Sequence, residues 1–553
     1  MAVSCQLYYG DNLDVLRRHV VDESIDLVYL DPPFNSNATY NALFAASHGR
    51  LAASQIKAFD DTWSWDETAA RLYEELLEQQ AGERVASCLG AMREMLGECD
   101  MLAYLVMMAP RLIELRRILK SNGCVYLHCD PTASHYLKAV MDSVFGASNF
   151  RNEIIWRRSH PKGLAFTRFA SNHDVIFCYA KERGKETWNP VYVPHDPEEV
   201  LKQYRMVDGD GRRYQLTSLL NPNPDRPHLT YELYGVTRTW RWKPSRMKEE
   251  DEKGRIVVPK GGKGIPRYKR YLDEQEGVPV DDVWTDIPVA KGDERLGYPT
   301  QKPLALLRRI IEASSNVGDT ILDPFCGCGT AVHAAQELGR NWVGIDITHL
   351  AISEIKARLN RAFPKEKLVY KTTGEPTSVP DAEALASSDE YQFQFWALGL
   401  VGARKREGKK GADKGIDGQL VFHDEPIGGK SKHIIISVKA GKRISVAHIR
   451  DLVGVITREK AAIGVFISMH SPTKEMRKEA ASAGFYESPF KTKHPKIQLL
   501  TIEELLAGKG ISFPDVKGVN VTHMPATHNP AAPATKKKKG GVRKTSQKEL
   551  FDE

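Results

Sequence analysis

The eight cysteines of this 553-residue chain form no C-x-x-C pair, which argues against a zinc site or a dithiol redox centre. They stand scattered at Cys5, Cys88, Cys99, Cys124, Cys129, Cys178, Cys326 and Cys328 and read as the reduced thiols of a cytoplasmic protein. No run of about 18 apolar residues occurs, so no membrane span is expected. Met1-Ala2-Val3-Ser4-Cys5-Gln6 lacks a charged segment followed by an apolar stretch, so no secretory signal is expected either. Excess charge is modest. The formal net charge is +7, and from Lys536 onward seven Lys or Arg stand against three acids. The body is therefore only mildly basic, which permits nucleic-acid binding without demanding it.

Residues 1–184 alternate short β-branched or aromatic runs with helical patterns, as in Ile25-Asp26-Leu27-Val28-Tyr29-Leu30 and Cys124-Val125-Tyr126-Leu127-His128. Apolar residues at helical spacing from Leu112 to Leu119 predict a helix stopped at Asn122-Gly123. Strands alternating with helices imply a parallel α/β sheet. Residues 185–295 break this rhythm. They are rich in Arg, Trp, Tyr, Gly and Pro, as in Arg238-Thr239-Trp240-Arg241-Trp242, and read as an inserted, irregular module. The α/β pattern resumes over 296–371. Residues 372–389, rich in Pro, Thr, Ser and acids, are expected to be a linker. A further α/β unit is expected over 390–512. The Ala-, Pro-, Lys- and Gly-rich residues 513–553 read as a disordered basic tail.

Two loops carry the chemistry. Leu30-Asp31-Pro32-Pro33-Phe34-Asn35 follows a buried strand, the place where ligands sit in open α/β sheets. Ile321-Leu322-Asp323-Pro324-Phe325-Cys326-Gly327-Cys328-Gly329-Thr330 lies between a predicted strand and a predicted helix. Its glycines allow a tight turn and close approach to a ligand, and Asp346, ending the next strand, is placed for ribose hydroxyls. A lone G-x-G also fits a dinucleotide, but the third glycine of that fingerprint is missing.

The Asp-Pro-Phe-x-Gly-x-Gly-Thr string resembles motif I of the amino-methyltransferases, whose ligand is S-adenosylmethionine. With Asp31-Pro32-Pro33-Phe34 upstream of it, the chain resembles the β-class of DNA amino-methyltransferases, and type III modification subunits in particular, over residues 5–362. Tyr9-Gly10-Asp11-Asn12, Phe59-Asp60-Asp61-Thr62-Trp63, Tyr126-Leu127-His128-Cys129-Asp130-Pro131, Asn152-Glu153-Ile154-Ile155-Trp156, Asn172-His173-Asp174 and Tyr298-Pro299-Thr300-Gln301-Lys302-Pro303 fit the same family.

The resemblance implies a Rossmann-like methyltransferase fold in permuted order: catalytic half 1–184, target-recognition region 185–295, cofactor half 296–371. It implies cofactor contacts from Asp11, Thr300, Lys302, Pro303, Asp323, Phe325, Gly327, Gly329, Thr330 and Asp346, and catalysis by Asp31, Pro32, Pro33 and Phe34. The substrate would be double-stranded DNA. An Asp at the head of the catalytic motif favours adenine N6, with cytosine N4 as the alternative. An exocyclic amino nitrogen is a poor nucleophile because its lone pair is delocalised. Asp31 and the Pro32 carbonyl would accept its hydrogens and aim the lone pair at the methyl group. The prolines stiffen the loop, and Phe34 would stack on a flipped base. Arg and Trp residues of the recognition region would contact phosphates and base edges. A homodimer is a further candidate arrangement, and a bacterial modification or defence system is the expected setting.

Gly411-Ala412-Asp413-Lys414-Gly415-Ile416-Asp417-Gly418, followed by Ile434-Ile435-Ile436-Ser437-Val438-Lys439, resembles the Mrr-like branch of the restriction endonucleases. There an Asp and an acid-x-Lys hold Mg²⁺ and activate water. The corresponding candidates are Asp413, Asp417, Ser437 and Lys439. Ser437 stands where the acid belongs, so the expectation is a degenerate nuclease fold used for docking. A live Mg²⁺-dependent nuclease, making restriction and modification one chain, is the alternative. In the tail, Gln547, Leu550 and Phe551 are similar to the QxxLF peptide that docks on the bacterial sliding clamp, although a polar tail that merely carries two apolar residues fits as well.

Overall fold

All six residues of Ile25–Leu30 are buried, which places this strand, β2, in the middle of a sheet covered on both faces. The computed structural model describes residues 5–33, 64–78, 82–159, 169–262, 264–296, 298, 300–366, 368–403, 415–424 and 431–514. In it β2 is the fifth of nine strands. The others are β1 (Gln6–Tyr9), β3 (Leu119–Cys129), β4 (Phe150–Arg157), β5 (His173–Ala180), β6 (Val283–Trp284), β7 (Thr320–Asp323), β8 (Asn341–Asp346) and β9 (Lys371–Thr373). Their order is β6-β4-β5-β3-β2-β7-β8-β1-β9. Strand β5 runs antiparallel to β3 and β4, and the remaining pairings are parallel.

Asp26 is the one acid within β2. Its carboxylate accepts from Lys120 Nζ on β3 at 2.8 and 2.9 Å and from the Thr320 N–H on β7 at 2.9 Å. The buried charge is thereby paired, and three strands are pinned in register.

Helices α1 (Asn12–His19), α2 (Asp100–Ile118) and α3 (Pro131–Phe145) cover one face of the sheet, burying Leu16, Leu105, Leu112 and Leu137. Helices α4 (Leu304–Ser314), α5 (Thr330–Glu337) and α6 (His349–Ala362) cover the other, burying Leu307, Ile310, Val332 and Ile355. Each such side chain contributes about 1.5–3 kcal/mol, so these two layers hold the sheet. Among the described residues no helix is long and apolar enough to cross a membrane.

Three local expectations meet a different structure. The helix expected to stop at Asn122-Gly123 ends at Ile118, and Asn122 and Gly123 lie inside β3. The chain passes straight from helix to strand because Leu119 already pairs with Ile25. The insert is also not irregular. Arg213–Ser218, Arg267–Tyr271, Ile256–Val257 and Met206–Val207 form a four-stranded sheet over a small core of Leu219, Trp240, Met247 and Ile256. Its composition masked short strands behind many charged residues. Finally, residues 379–388 within the expected linker form helix α7 (Val379–Ser388), opened by a capping box between Ser378 and Asp381 with a proline in its first turn. Ser, Pro and acids are helix-start residues as much as linker residues.

Helix α7 packs into the C-terminal unit, where Ala382 joins its core. That unit has a four-stranded sheet of β10 (Gly418–Phe422), β11 (Lys432–Lys439), β12 (Ile463–Ser468) and β13 (Ile497–Thr501). Strand β10 is antiparallel to β11, and the rest are parallel. Helix α8 (Glu390–Leu400) joins the two units: Gln392 Oε1 accepts the His349 N–H of α6 at 2.9 Å.

Candidate active site

Strands β2 and β7 are parallel neighbours, with Leu27 opposite Ile321 and Val28 opposite Leu322. The loops that follow them, Asp31-Pro32-Pro33 and Asp323-Pro324-Phe325, therefore leave the same edge of the sheet side by side. The carboxyl ends of parallel strands are where such sheets bind ligands.

The glycine loop is shaped by contact. Gly327 and Gly329 have φ of +50° and +74°, a region open to glycine at little cost. A Cβ at Gly329 would stand 2.7 Å from Ile355 Cγ1 on α6, and one at Gly327 would stand 3.3 Å from the Tyr298 ring. The loop is fastened by Cys326 N–H to the Ile345 carbonyl at 3.0 Å and by Gly327 N–H to Asp346 Oδ2 at 2.9 Å. Asp346 Oδ1 accepts from the Thr348 N–H at 2.9 Å and hydroxyl at 2.8 Å. Burial nevertheless raises the Asp346 carboxyl to about 6. Burial also pushes Asp323 well above the usual carboxylate range, against the Phe325 N–H that donates to its Oδ1 at 3.0 Å. Phe325 itself packs on the α1–α3 side of the core.

The β1–α1 turn closes over this loop. Asp11 caps α1, accepting from Leu13 N–H at 2.8 Å, and pairs with Arg111 Nη2 at 2.9 Å. Asn12 Nδ2 donates to the Pro324 carbonyl at 2.9 Å, and Arg111 Nε donates to Asn12 Oδ1 at 2.6 Å. Arg111 was missed in the sequence. Its signal was a single guanidinium in the buried stretch Leu102–Leu115 of α2, where a charge needs a partner.

The remaining candidates divide. Pro303 caps α4, and Thr330 turns inward, donating to the Lys302 carbonyl at 3.3 Å and accepting from Arg358 Nη1 at 3.0 Å. Thr300 is exposed. Lys302 points to the Asp31-Pro32-Pro33 loop: its Nζ lies 2.5 Å from Asp31 Oδ2. The other oxygen, Asp31 Oδ1, is buried and accepts no hydrogen bond from the described residues. Pro32 is buried and Pro33 half-buried; Phe34 and Phe59–Trp63 lie outside the described residues.

Beneath Asp31 runs a buried polar chain. Tyr29 Oη meets His128 Nδ1 at 3.0 Å, and His128 Nε2 meets Asp174 Oδ2 at 3.2 Å. Burial works against charge on Asp174, yet the His128 hydrogen bond, with Lys302 and Arg158 nearby, holds its carboxyl below the usual range.

In the insert, Trp240 is fully buried and Trp284 nearly so, so these two tryptophans build core rather than a DNA-reading surface. Arg213, Arg238, Arg241, Arg267 and Arg270 are exposed.

In the C-terminal unit, Asp417 Oδ2 accepts from the Val438 N–H at 2.7 Å and the Ser437 hydroxyl at 3.2 Å, with Lys439 Nζ at 4.0 Å. The three candidates do meet, and the described residues bring one carboxylate, that of Asp417, to the site. Asp413 and the tail lie outside the described residues. Among those described, no cluster of three His, Cys, Asp or Glu is placed to hold a metal.

Residues 25–357 match the family model described as DNA methylase, and residues 390–507 match one described as NACHT-associated inactive Restriction Endonuclease 1. The type II methyltransferase M.EcaI of Enterobacter cloacae is 30% identical over 392 residues, covering 69% of this chain and 75% of the relative. The StyLTI Mod subunit, a type III restriction-modification enzyme subunit of Salmonella typhimurium, is 24% identical over 348 residues, 60% of this chain and 49% of the subunit. The solved M1.HpyAVI–SAM complex is 15% identical, covering 64% of this chain and 99% of that one, with a TM-score of 0.30. With its Asp31 and glycine loops side by side and well over half its length matched, the chain belongs to the DNA methylase family.

Proposed function

We propose that the chain methylates the N6 amino group of adenine in double-stranded DNA, using S-adenosylmethionine. The observation that carries this reading is Asp31 Oδ1, a buried carboxylate oxygen without a partner among the described residues, beside the glycine loop. A buried acceptor left open is costly unless a ligand fills it, and a target amino group brings the N–H it lacks.

The residues fit the cofactor. A Cβ at Gly329 would clash with Ile355 and one at Gly327 would press on the Tyr298 ring, and Asp346 lies at the end of β8, where an acid receives ribose hydroxyls. Asp323 and Phe325 would line the same loop. When bound, S-adenosylmethionine supplies an electrophilic methyl group on a sulfonium. The chain's own part is to hold the amine. Asp31 Oδ1 and the Pro32 carbonyl accept its two hydrogens, draw the nitrogen toward tetrahedral geometry, and stabilise the positive charge that develops there. The exposed arginines of residues 185–295 would reach phosphates and base edges.

The C-terminal unit is read as a docking module rather than a cutting one, because Ser437 stands where an acid would hold Mg²⁺ and the described residues bring only the Asp417 carboxylate to the site. Incubation with labelled cofactor and unmethylated genomic DNA, followed by nucleoside analysis, tests the assignment. N6-methyladenine supports it, and N4-methylcytosine alone moves the reading to the other base.

A further inference from the structure

We infer that Lys302 is the positioning residue for the catalytic carboxylate: it takes one oxygen of Asp31 so that the other is the carboxylate oxygen offered to the target amine, beside the Pro32 carbonyl. The inference rests on the methyltransferase reading of Asp31 and moves Lys302 out of the cofactor set to which its motif assigned it.

The geometry is specific. Lys302 Nζ stands 2.5 Å from Asp31 Oδ2, with side-chain exposures of 10% and 15%. Asp31 Oδ1 has no partner among the described residues. A carboxylate has two equivalent oxygens and a soft terminal torsion, so an unpaired Asp31 would present either one in a range of orientations. The ion pair breaks that equivalence. Charge-assisted hydrogen bonds are short and strong, and here the cation is itself anchored. Lys302 directly precedes the Pro303 cap of α4, and its carbonyl accepts from Thr330 at 3.3 Å. Thr330 opens α5 straight after the glycine loop. The aim of Asp31 is thus set by the same segment that shapes the glycine loop.

The placement also suits the reaction. Positive charge develops on the amine as the methyl arrives, so a cation beside the amine would oppose it. Lys302 contacts the oxygen that the amine does not use, which leaves the carboxylate between the two positive centres. Asp174 and Asp323 also lie within electrostatic reach of Lys302, so the same cation, with Arg158 on Asp174, offsets acids gathered at this edge of the sheet.

The test compares full-length wild type with Lys302→Met and Lys302→Arg. Two quantities are read: the affinity for S-adenosylmethionine by calorimetry, and the single-turnover rate on unmethylated genomic DNA at saturating cofactor. A mis-aimed catalytic group costs about a hundredfold. Lys302→Met is expected to lose about that much rate while cofactor affinity and the KM for DNA stay within about threefold, since one tenfold change is already 1.4 kcal/mol. Lys302→Arg, which keeps the cation, is expected to recover most of the rate. Retention of the wild-type rate in Lys302→Met overturns the proposal. So does a loss confined to cofactor affinity, which would return Lys302 to the cofactor. Failure of the wild type to methylate DNA at all would instead overturn the reading of Asp31 on which the proposal stands.

Discussion

Asn12 and Pro324 stand 312 residues apart in sequence and are joined by a 2.9 Å hydrogen bond from Asn12 Nδ2 to the proline carbonyl. Arg111 holds Asn12 from behind and pairs with Asp11. One buried guanidinium therefore fixes the first turn of the chain against the loop that should hold the cofactor. Arg111→Met should lower stability by about 1–3 kcal/mol, the cost of stranding hydrogen-bonding groups, and cofactor affinity by about tenfold. Thermal melting and calorimetry check both. Arg18→Ala on the exposed side of α1 should do neither, and equal losses in the two variants would remove the special role of Arg111.

The glycine loop makes a sharper comparison. Gly329 and Gly235 share a positive φ, +74° and +73°, but a Cβ at Gly235 meets nothing within 4 Å while one at Gly329 meets Ile355 at 2.7 Å. Gly235→Ala should show backbone strain alone, about 1 kcal/mol. Gly329→Ala should add overpacking of about 1–3 kcal/mol and impair cofactor binding. Gly327→Val, crowding Tyr298, should keep the fold and weaken the cofactor. Equal unfolding free energies for the two alanine variants would contradict the packing account.

The raised carboxyl of Asp346 gives a pH dependence with a definite sign. Burial holds it at about 6, so it takes up a proton as pH falls from 7 to 5. Only the ionised form accepts on both oxygens. Affinity for S-adenosylmethionine should accordingly weaken by about tenfold at pH 5 relative to pH 7, each unit below the free-state value costing up to a factor of ten. Asp346→Asn should bind weakly and lose this dependence. A flat wild-type profile between pH 5 and 7 would mean that Asp346 does not receive the ribose.

Much of this site was legible because its residues obey local rules. Glycines between a strand and a helix, an acid at the end of the following strand, and Asp-Pro-Pro after a buried run each report a backbone conformation or a strand end. The pairing of β2 with β7 follows only from long-range packing. So do the contacts of Lys302 and Arg111, whose partners lie 271 and about 100 residues away. The Tyr29–His128–Asp174 chain was hidden for the same reason, being assembled from three strands. Trp240 was misread because an aromatic flanked by arginines looks alike on a surface and in a small core. The helix at Val379–Ser388 was taken for a linker because caps and linkers draw on the same residues.

The C-terminal unit should not cut DNA efficiently. Asp417 spends an oxygen on the Val438 N–H and the Ser437 hydroxyl, and a serine adds no charge to a Mg²⁺ site. Plasmid nicking with Mg²⁺ or Mn²⁺ should be weak or absent in the wild type, and Ser437→Glu should gain activity if the rest of the geometry is competent. Strong wild-type nicking abolished by Lys439→Ala would make this a restriction and modification enzyme in one chain.

Adenine-N6 methylation aimed by Asp31 can be read directly. Its most direct measurement is transfer of labelled methyl groups from S-adenosylmethionine to unmethylated duplex DNA, with the modified nucleoside identified after digestion, for wild type and Asp31→Ala side by side. The expected result is N6-methyladenine from the wild type, none from Asp31→Ala, and unchanged cofactor affinity in that variant. Label on RNA or protein instead of DNA, or full activity without the Asp31 carboxylate, would contradict it.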